Sequence, residues 1–349
     1  MEWYLPVIWA GLIGTAVALY VILDGFDLGV AMLFPFTENE AERHQMTRSI
    51  APFWDGNEVW LIAAGGVLFV AFPELLTTAF PAFYLALHLV LWCFALRGVA
   101  IEVRNHVGDA LWRALWDAVF ALASLLLALL FGVAFGNVVR GVPIDETREF
   151  TMPFFTDFRT TGQVGLLDWY SLSVGLLSIA LLSAHGAAFL AWRAAGTVRE
   201  RCLSLERKLW PAVAALFALV TVGTYFVRPE LLGHLLSRPL SWPGIALAVS
   251  GGALLLSARR GNFDGRAFLG SCGLIAGVLA AAGAALFPVF LRSTLAPEFD
   301  LDALHQPRNS IAMKFALGWW PLSFMLAVSY FVNVFRANRG RVSADDYFS

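Results

Sequence analysis

Lysine and cysteine are both scarce in this sequence. The two lysines, Lys208 and Lys314, lie near the ends of apolar runs, so no lysine stands at mid-membrane to form a Schiff base with retinal. The three cysteines, Cys93, Cys202 and Cys272, are far apart and form no Cys-x-x-Cys pair. They indicate neither a disulfide framework nor a thiolate metal site, and we expect free, mostly buried thiols.

Charged side chains are also few. They make up 14% of the 349 residues, whereas 59% are hydrophobic, which is not the composition of a soluble domain. The formal net charge is −2 and no basic stripe is present, so nucleic-acid binding is not expected. The phosphate loops GxxxxGK and GxGxxG and the metal motif HxxxH are absent as well. This composition predicts an integral membrane protein.

Long apolar runs are what the sequence has in abundance. A membrane-spanning helix needs about 20 apolar residues, and nine runs are candidates. They cover residues 5–34, 52–73, 78–102, 112–137, 165–192, 207–227, 240–258, 266–291 and 311–336. The second run is the least certain span because Asp55, Asn57 and Glu58 lie at its start. We predict an all-α membrane fold of about nine helices, forming one polytopic domain over residues 1–349, with the first helix retained.

The distribution of basic residues predicts the orientation of the chain. With the N-terminus outside, sixteen of the 24 Lys and Arg residues fall on the inner side and eight on the outer side. Because cytoplasmic loops carry the excess of Lys and Arg, we expect an outside N-terminus and a cytoplasmic C-terminus. The inner set includes Arg97 and Arg104, and residues 193–208 are expected to form a basic turn.

Five carboxylates in the first four predicted spans are the most informative residues. Asp24 and Asp27 lie three residues apart near the inner end of the first span, and so share a helix face. Asp55 and Glu58 repeat this spacing at the start of the second span, and Asp117 lies early in the fourth. An Asp at the centre of a membrane helix costs about 3 kcal/mol on insertion scales. We therefore expect these acids to face a protein interior or a hydrated path.

Two glycines beside the first acidic pair predict a helix contact. Gly25 and Gly29 are four residues apart, the spacing at which small residues let a second helix approach closely.

Carboxylates that begin at the inner surface and lead inward suit proton uptake, because buried carboxyl groups can exchange protons near neutral pH. Two simpler interpretations remain open. The acids of the first span could be satisfied by helix-packing hydrogen bonds, and Asp55 and Glu58 could be first-turn acids stabilised by the helix dipole. For the whole protein, the alternatives are a proton-coupled transporter and a structural scaffold. Transporters commonly have related halves. Here residues 1–140 hold nearly all the acids that lie within predicted spans, and residues 160–337 are expected to serve packing and partner contacts.

His88 and His185 lie in the third and fifth predicted spans. Histidine is a frequent haem ligand, so the two could form an axial pair. We favour the alternative that each makes a hydrogen bond across helices, because no neighbouring residue marks either as a ligand.

Four collinear stretches carry a resemblance to a known family. They read DGFDLG at 24–29, IAPFWDGNEVWLIAAGG at 50–66, LWD at 115–117 and GVAFGNVVRGVP at 132–143. In these stretches the sequence closely resembles subunit II of the cytochrome bd-type quinol oxidases. The resemblance implies two four-helix bundles plus a peripheral helix, in the cytoplasmic (inner) membrane of a prokaryote.

The resemblance also implies a division of labour. A homologous subunit I would carry haem b and haem d, bind quinol and reduce dioxygen, while this chain would hold no haem. Carboxylates matching Asp27 and Asp55 are implicated in the proton path of the family, and those matching Asp24 and Asp117 lie nearby. Glu58 stands where other members have Gln. We assign no catalytic or metal-binding residue, and a small accessory subunit and a bound quinone or lipid remain open.

Overall fold

The computed structural model describes residues 3–159, 163–260, 264–305 and 310–343. Twelve helices and two short strands are present in these ranges. The helices are α1 (Tyr4–Leu33), α2 (Glu40–Ile50), α3 (Trp54–Ala71), α4 (Pro73–Ala82), α5 (Tyr84–Val103), α6 (Ala110–Arg140), α7 (Trp169–Arg193), α8 (Gly196–Val227), α9 (Pro229–Ser237), α10 (Ser241–Arg260), α11 (Asp264–Leu286) and α12 (Ser310–Ala337). The strands β1 (Val289–Leu291) and β2 (Leu301–Asp302) pair antiparallel.

Eight of the described helices are long and apolar enough to cross a membrane. A ninth span results if α3 and α4, which meet at an angle of 117°, are counted together. This agrees with the predicted nine spans. The second predicted span is the one that is bent, and it is also the one that the sequence left least certain. Pro73 begins α4, and Phe72 before it leaves the helical conformation, as the residue preceding a proline tends to do. The third span consequently starts at Tyr84 and not at residue 78.

The long helices form two groups of four and one peripheral helix. Helices α1, α3, α5 and α6 form the first bundle, and α7, α8, α10 and α11 form the second. Helix α12 packs along α1 and α3, where Trp60 stacks on Phe331 and Trp9 meets Trp320 edge to face. Most of α12 is exposed. The two bundles and the peripheral helix are the architecture that the resemblance implies.

The bundles meet where α1 and α6 pack against α7, and the crossing of α1 with α7 is especially close. A Cβ atom on Gly29 would lie 2.8 Å from Cα of Gly186, a separation that only glycine permits. Beside this crossing, Phe26 of α1 stacks on Phe189 of α7 with ring centroids 4.0 Å apart. The predicted close approach at Gly25 and Gly29 is therefore confirmed, and its partner is α7.

Side-chain caps set the limits of several helices. The side chain of Asn39 accepts a hydrogen bond from Glu42 N at the start of α2, and Asp109 caps α6 in the same way. Asp168 and Ser171 form a reciprocal capping box at the start of α7. Gly141, at φ +97°, ends α6.

The loops predicted to lie on the inner side are more helical than expected. Helix α2 occupies the first of them, and α8 begins at Gly196. Most of the expected basic turn at 193–208 is therefore the first turns of a long helix. The charged residues of this segment interrupt the apolar pattern without interrupting the helix, because Glu, Arg and Lys are good helix formers.

Candidate functional site

An arginine that the sequence analysis placed in the inner set lies at the centre of the acidic cluster. Arg97 of α5 is completely buried, and its Nη2 donates to Oδ1 of Asp24 on α1 at 2.6 Å. The same nitrogen donates to Oε1 of Glu58 on α3. Asp24 is buried as well, while the side chain of Glu58 is 23% exposed. Three helices of the first bundle thus meet at two carboxylates and one guanidinium.

Asp27 has a different partner. Its Oδ2 accepts a hydrogen bond of 2.7 Å from Nδ2 of Asn57, which also donates to the carbonyl oxygen of Leu23 at 3.1 Å. Asp27 and Asn57 are both buried. Asp27 therefore contacts α3 directly, whereas Asp24 is linked to α3 through the guanidinium of Arg97, which also binds Glu58. Both acids of α1 face the interior of the first bundle.

Several polar atoms in this cluster have no hydrogen-bond partner among the described residues. They include the acceptors Asp24 Oδ2, Asp27 Oδ1 and Asn57 Oδ1 and the donors Arg97 Nε and Nη1. Buried polar groups in proteins nearly always have a partner. A mixture of unpaired donors and acceptors in one place is the environment in which internal water is found.

Asp117 belongs to a separate ion-pair network at the end of the bundle that is predicted to face the inner side. Arg104 donates to both of its carboxylate oxygens, at 2.5 and 3.1 Å, and to both oxygens of Glu40 in α2. Arg43 lies 3.8 Å from Asp117. These contacts tie the start of α6 to α2 and the end of α5, and none of them leads to Asp24 or Asp27.

His44 lies beside this network on α2. Burial, followed by the positive charges of Arg48 and Arg104, lowers its pKa from the usual value. It is therefore a neutral side chain at pH 7 in a surface that is otherwise rich in charge.

Asp55 and Glu58 occupy different environments despite their spacing. Asp55 is exposed and continues a row of exposed residues on α3 that includes Val59, Ile62 and Phe69. Glu58 points toward Arg97. Residues three apart differ by about 60° around a helix, which here is enough to place one on the outer face and the other at the bundle interface.

The histidines do not form a pair. His185 is fully buried, and its two nitrogens lie 2.7 Å from Oγ of Ser271 and 2.9 Å from the carbonyl oxygen of Ile22. It therefore links α7 to α11 and α1, as the favoured interpretation expects. His88 makes its hydrogen bond to the carbonyl oxygen of Tyr84 in its own helix, and its ring lies against the ring of Tyr84. The expected bond across helices is therefore not found for His88 among the described residues. The described residues contain no group of three or more His, Cys, Asp or Glu side chains arranged to hold a metal ion.

Sequence reasoning missed Arg97 as a member of the site. A signal was present, because Arg97 lies inside the predicted span 78–102, several residues before its end. The acids of α1 and α3 were predicted to lie at a similar depth in the membrane. The sequence analysis counted Arg97 among the charges of the inner side, and so did not consider it as a partner that could neutralise those acids. An arginine within a membrane span almost always has a buried partner.

The fold and the buried charge cluster define a multi-pass helical membrane protein with ionisable groups inside its first bundle. Comparison with known proteins gives the family. The family model for cytochrome bd terminal oxidase subunit II matches residues 5–337. The chain therefore belongs to the cytochrome bd terminal oxidase subunit II family, and it is one subunit of a quinol-oxidising terminal oxidase of the respiratory chain.

Individual relatives agree with this assignment. The chain is 30% identical to "Probable cytochrome oxidase subunit 2" of Haemophilus influenzae, over 98% of this chain and 96% of the relative. It is 31% identical to "Cytochrome bd-I ubiquinol oxidase subunit 2" of Escherichia coli (strain K12), over 82% of each chain. The solved bd oxidase of Geobacillus thermodenitrificans contains a chain with the same fold, at a TM-score of 0.74 and 17% identity, over 96% of this chain and 98% of that chain.

Proposed function

We propose that this chain is the non-haem subunit of a bd-type oxidase and that its first bundle conducts protons from the inner side toward the site of dioxygen reduction. Its partner would be a homologous subunit I that carries haem b and haem d and binds quinol. The positive-inside rule supports the orientation, with the acidic end of the bundle at the cytoplasm. Protons taken from inside and released outside on quinol oxidation would build a membrane potential without a pump.

The observation that carries this proposal is the buried group formed by Asp24, Glu58 and Arg97. Two carboxylates share one guanidinium, so one of their two negative charges is not neutralised within the group. Burying an unpaired charge is costly, and taking up one proton removes the excess. A charge cluster with this composition can accept and release a proton without losing its ion pair.

A gradient of exposure gives the order of the path. Asp55 is exposed at the inner end of α3, Glu58 is partly exposed one turn deeper, and Asp24 is buried beside it. Asp27 lies alongside, bonded to an amide and with one oxygen unpaired among the described residues. Water bound to the unpaired atoms of Asp27, Asn57 and Arg97 would connect the two acids of α1.

Asp117 has a different part in this proposal. Both of its oxygens are engaged by Arg104 and its neighbour is Arg43. Charge-assisted hydrogen bonds of this kind are stronger than neutral ones and fix the relative position of the two groups. We assign Asp117 to the surface that surrounds the entrance, where it fixes α2 against α6.

The test is Asp27→Asn in the purified complex with its partner subunit. Asn keeps the size of the side chain and cannot carry a proton. We therefore expect dioxygen consumption at saturating quinol to fall about 100-fold or more, because positioned proton-transfer groups contribute about 10²–10⁴-fold. The haem absorbance spectrum should remain unchanged. Turnover in H2O and D2O should differ more in the variant than in the parent protein, because proton delivery becomes rate-limiting.

Glu102→Gln is the matched control, since Glu102 is an exposed acid at the inner end of α5. We expect it to leave turnover unchanged. Equal turnover for Asp27→Asn and Glu102→Gln, with full haem content in both, would refute the proton path and leave the chain as a scaffold for subunit I. Loss of haem together with activity would favour the scaffold as well.

A further inference from the structure

A cavity of about 370 Å³ opens at the inner end of the second bundle, far along the chain from the acidic cluster. It lies between the end of α7, the end of α12 and the residues that follow α12. Its walls include Trp192, Arg193, Phe335, Arg339 and Arg341. The volume is within the range of about 300–1,000 Å³ that is typical of small-molecule sites.

The cavity is rich in positive charge. Three of its residues are arginines, and among the described residues only Arg341 has a carboxylate partner, Asp264, at 2.8 Å. That carboxylate is also bound by Arg199 at 2.8 Å. Its single negative charge is shared by two arginines, so it does not neutralise the positive charge of the cavity. Arg339 is exposed and makes no ion pair among the described residues. The site therefore favours an anion.

Arg193 provides a second and independent observation. It is 5% exposed, and its Nη1 donates to the carbonyl oxygen of Gly340. Its Nε is buried and has no hydrogen-bond partner among the described residues. A buried guanidinium with a donor left over next to a cavity is suited to an anionic oxygen, since arginine binds phosphate and carboxylate through several N–H groups at once.

The position of the cavity indicates which anion. Helices α7 and α12 both have membrane-spanning length and end here, at Arg193 and Ala337. Trp192 and Phe335 add aromatic walls, and tryptophan is enriched at the boundary between membrane and water. Basic pockets between membrane helices on the cytoplasmic side commonly bind anionic lipid headgroups.

We propose that this cavity binds the phosphate of an anionic phospholipid, with the arginines on the phosphate and the aromatic side chains against the glycerol and the first part of the acyl chains. The backbone after α12 forms part of the rim, and Val342 N donates to the carbonyl oxygen of Arg193 at 2.7 Å. A bound lipid would therefore hold this segment against α7. The proposal is independent of the proton path.

The experiment is native mass spectrometry of the delipidated complex, titrated with phosphatidylglycerol or with zwitterionic phosphatidylcholine. An arginine near the membrane surface contributes about 1 kcal/mol to binding anionic lipid, which corresponds to about a fivefold change in Kd. We expect Arg339→Gln and Arg341→Gln each to weaken binding of phosphatidylglycerol about fivefold. Arg339→Lys should retain more binding than Arg339→Gln.

Arg336→Gln is the matched control, because Arg336 is an exposed arginine in the last turn of α12 and does not line the cavity. It should leave the affinity unchanged. Equal weakening by Arg336→Gln and Arg339→Gln would overturn the proposal, as would equal binding of phosphatidylcholine by the parent complex. Inorganic phosphate is the last arm. If it binds to the cavity while phosphatidylglycerol does not, the site takes a soluble phosphate and the lipid assignment is wrong.

Discussion

Replacing Arg97 by glutamine should destabilise the chain more than removing either of its acidic partners. Arg97 is completely buried and donates to both Asp24 and Glu58. Glutamine would leave two carboxylates facing each other without a positive charge. Asp24→Asn, in contrast, leaves Arg97 and Glu58 as a one-to-one ion pair.

The expected magnitudes follow from this difference. Removing one partner from a buried ion pair typically costs about 3–5 kcal/mol, and we expect Arg97→Gln to fall in that range. For Asp24→Asn we expect about 1–3 kcal/mol, the usual cost of an imperfectly satisfied buried polar group. Arg113→Gln is the control, because Arg113 is partly exposed and lies 3.8 Å from Glu40. Exposed ion pairs contribute about 0–1 kcal/mol.

The assay is thermal denaturation of the purified complex, repeated over a series of pH values. In Arg97→Gln, protonation of Asp24 and Glu58 removes their repulsion, so stability should rise as the pH falls. The parent protein should gain less stability on acidification, because Arg97 already neutralises one of its two acids. The reasoning is refuted if Arg97→Gln and Arg113→Gln have equal stability, or if Arg97→Gln becomes less stable on acidification.

Two further predictions concern the contacts between the bundles. Gly29→Val should destabilise the chain by about 1–3 kcal/mol by overpacking the crossing with Gly186. Gly14→Val, whose Cβ would have open space, should be tolerated in the same thermal assay. His185→Phe should cost about 1–3 kcal/mol through the loss of its hydrogen bonds to Ser271 and Ile22. The haem absorbance of the complex should stay the same. A loss of haem in a variant that keeps the thermal stability of the parent would indicate that His185 is a ligand.

Most of the helical architecture could be predicted because a membrane span leaves a long apolar run in the sequence. The bend between α3 and α4 was harder, since Phe72 and Pro73 lie within continuous apolar sequence. The length of α8 was also missed, because its first turns are polar and the prediction followed hydropathy alone. Helix α2 was missed for the same reason.

The candidate site was predicted only in part. The acids on α1 could be found because carboxylates are rare in membrane spans. The spacing of Gly25 and Gly29 predicted that a second helix packs closely against α1. The pairing with Arg97 depends on how α5 packs against α1 and α3, which no local pattern encodes. Likewise, the outward direction of Asp55 is fixed by the rotation of α3 in the bundle. Helical spacing alone did not determine it.

Contacts between residues that are close in the sequence and contacts between residues that are far apart in it can form at different times during synthesis. Asp24, Glu58 and Arg97 all belong to the first hundred residues, so their ion pairs can form while the second bundle has yet to leave the ribosome. The side chain of Gln45, however, donates to the carbonyl oxygens of Ala195 and Val342, and this clasp must wait for the last helix. Because chains generally fold in the order of translation, the ion pairs inside the first bundle can form before the hydrogen bonds of Gln45 do.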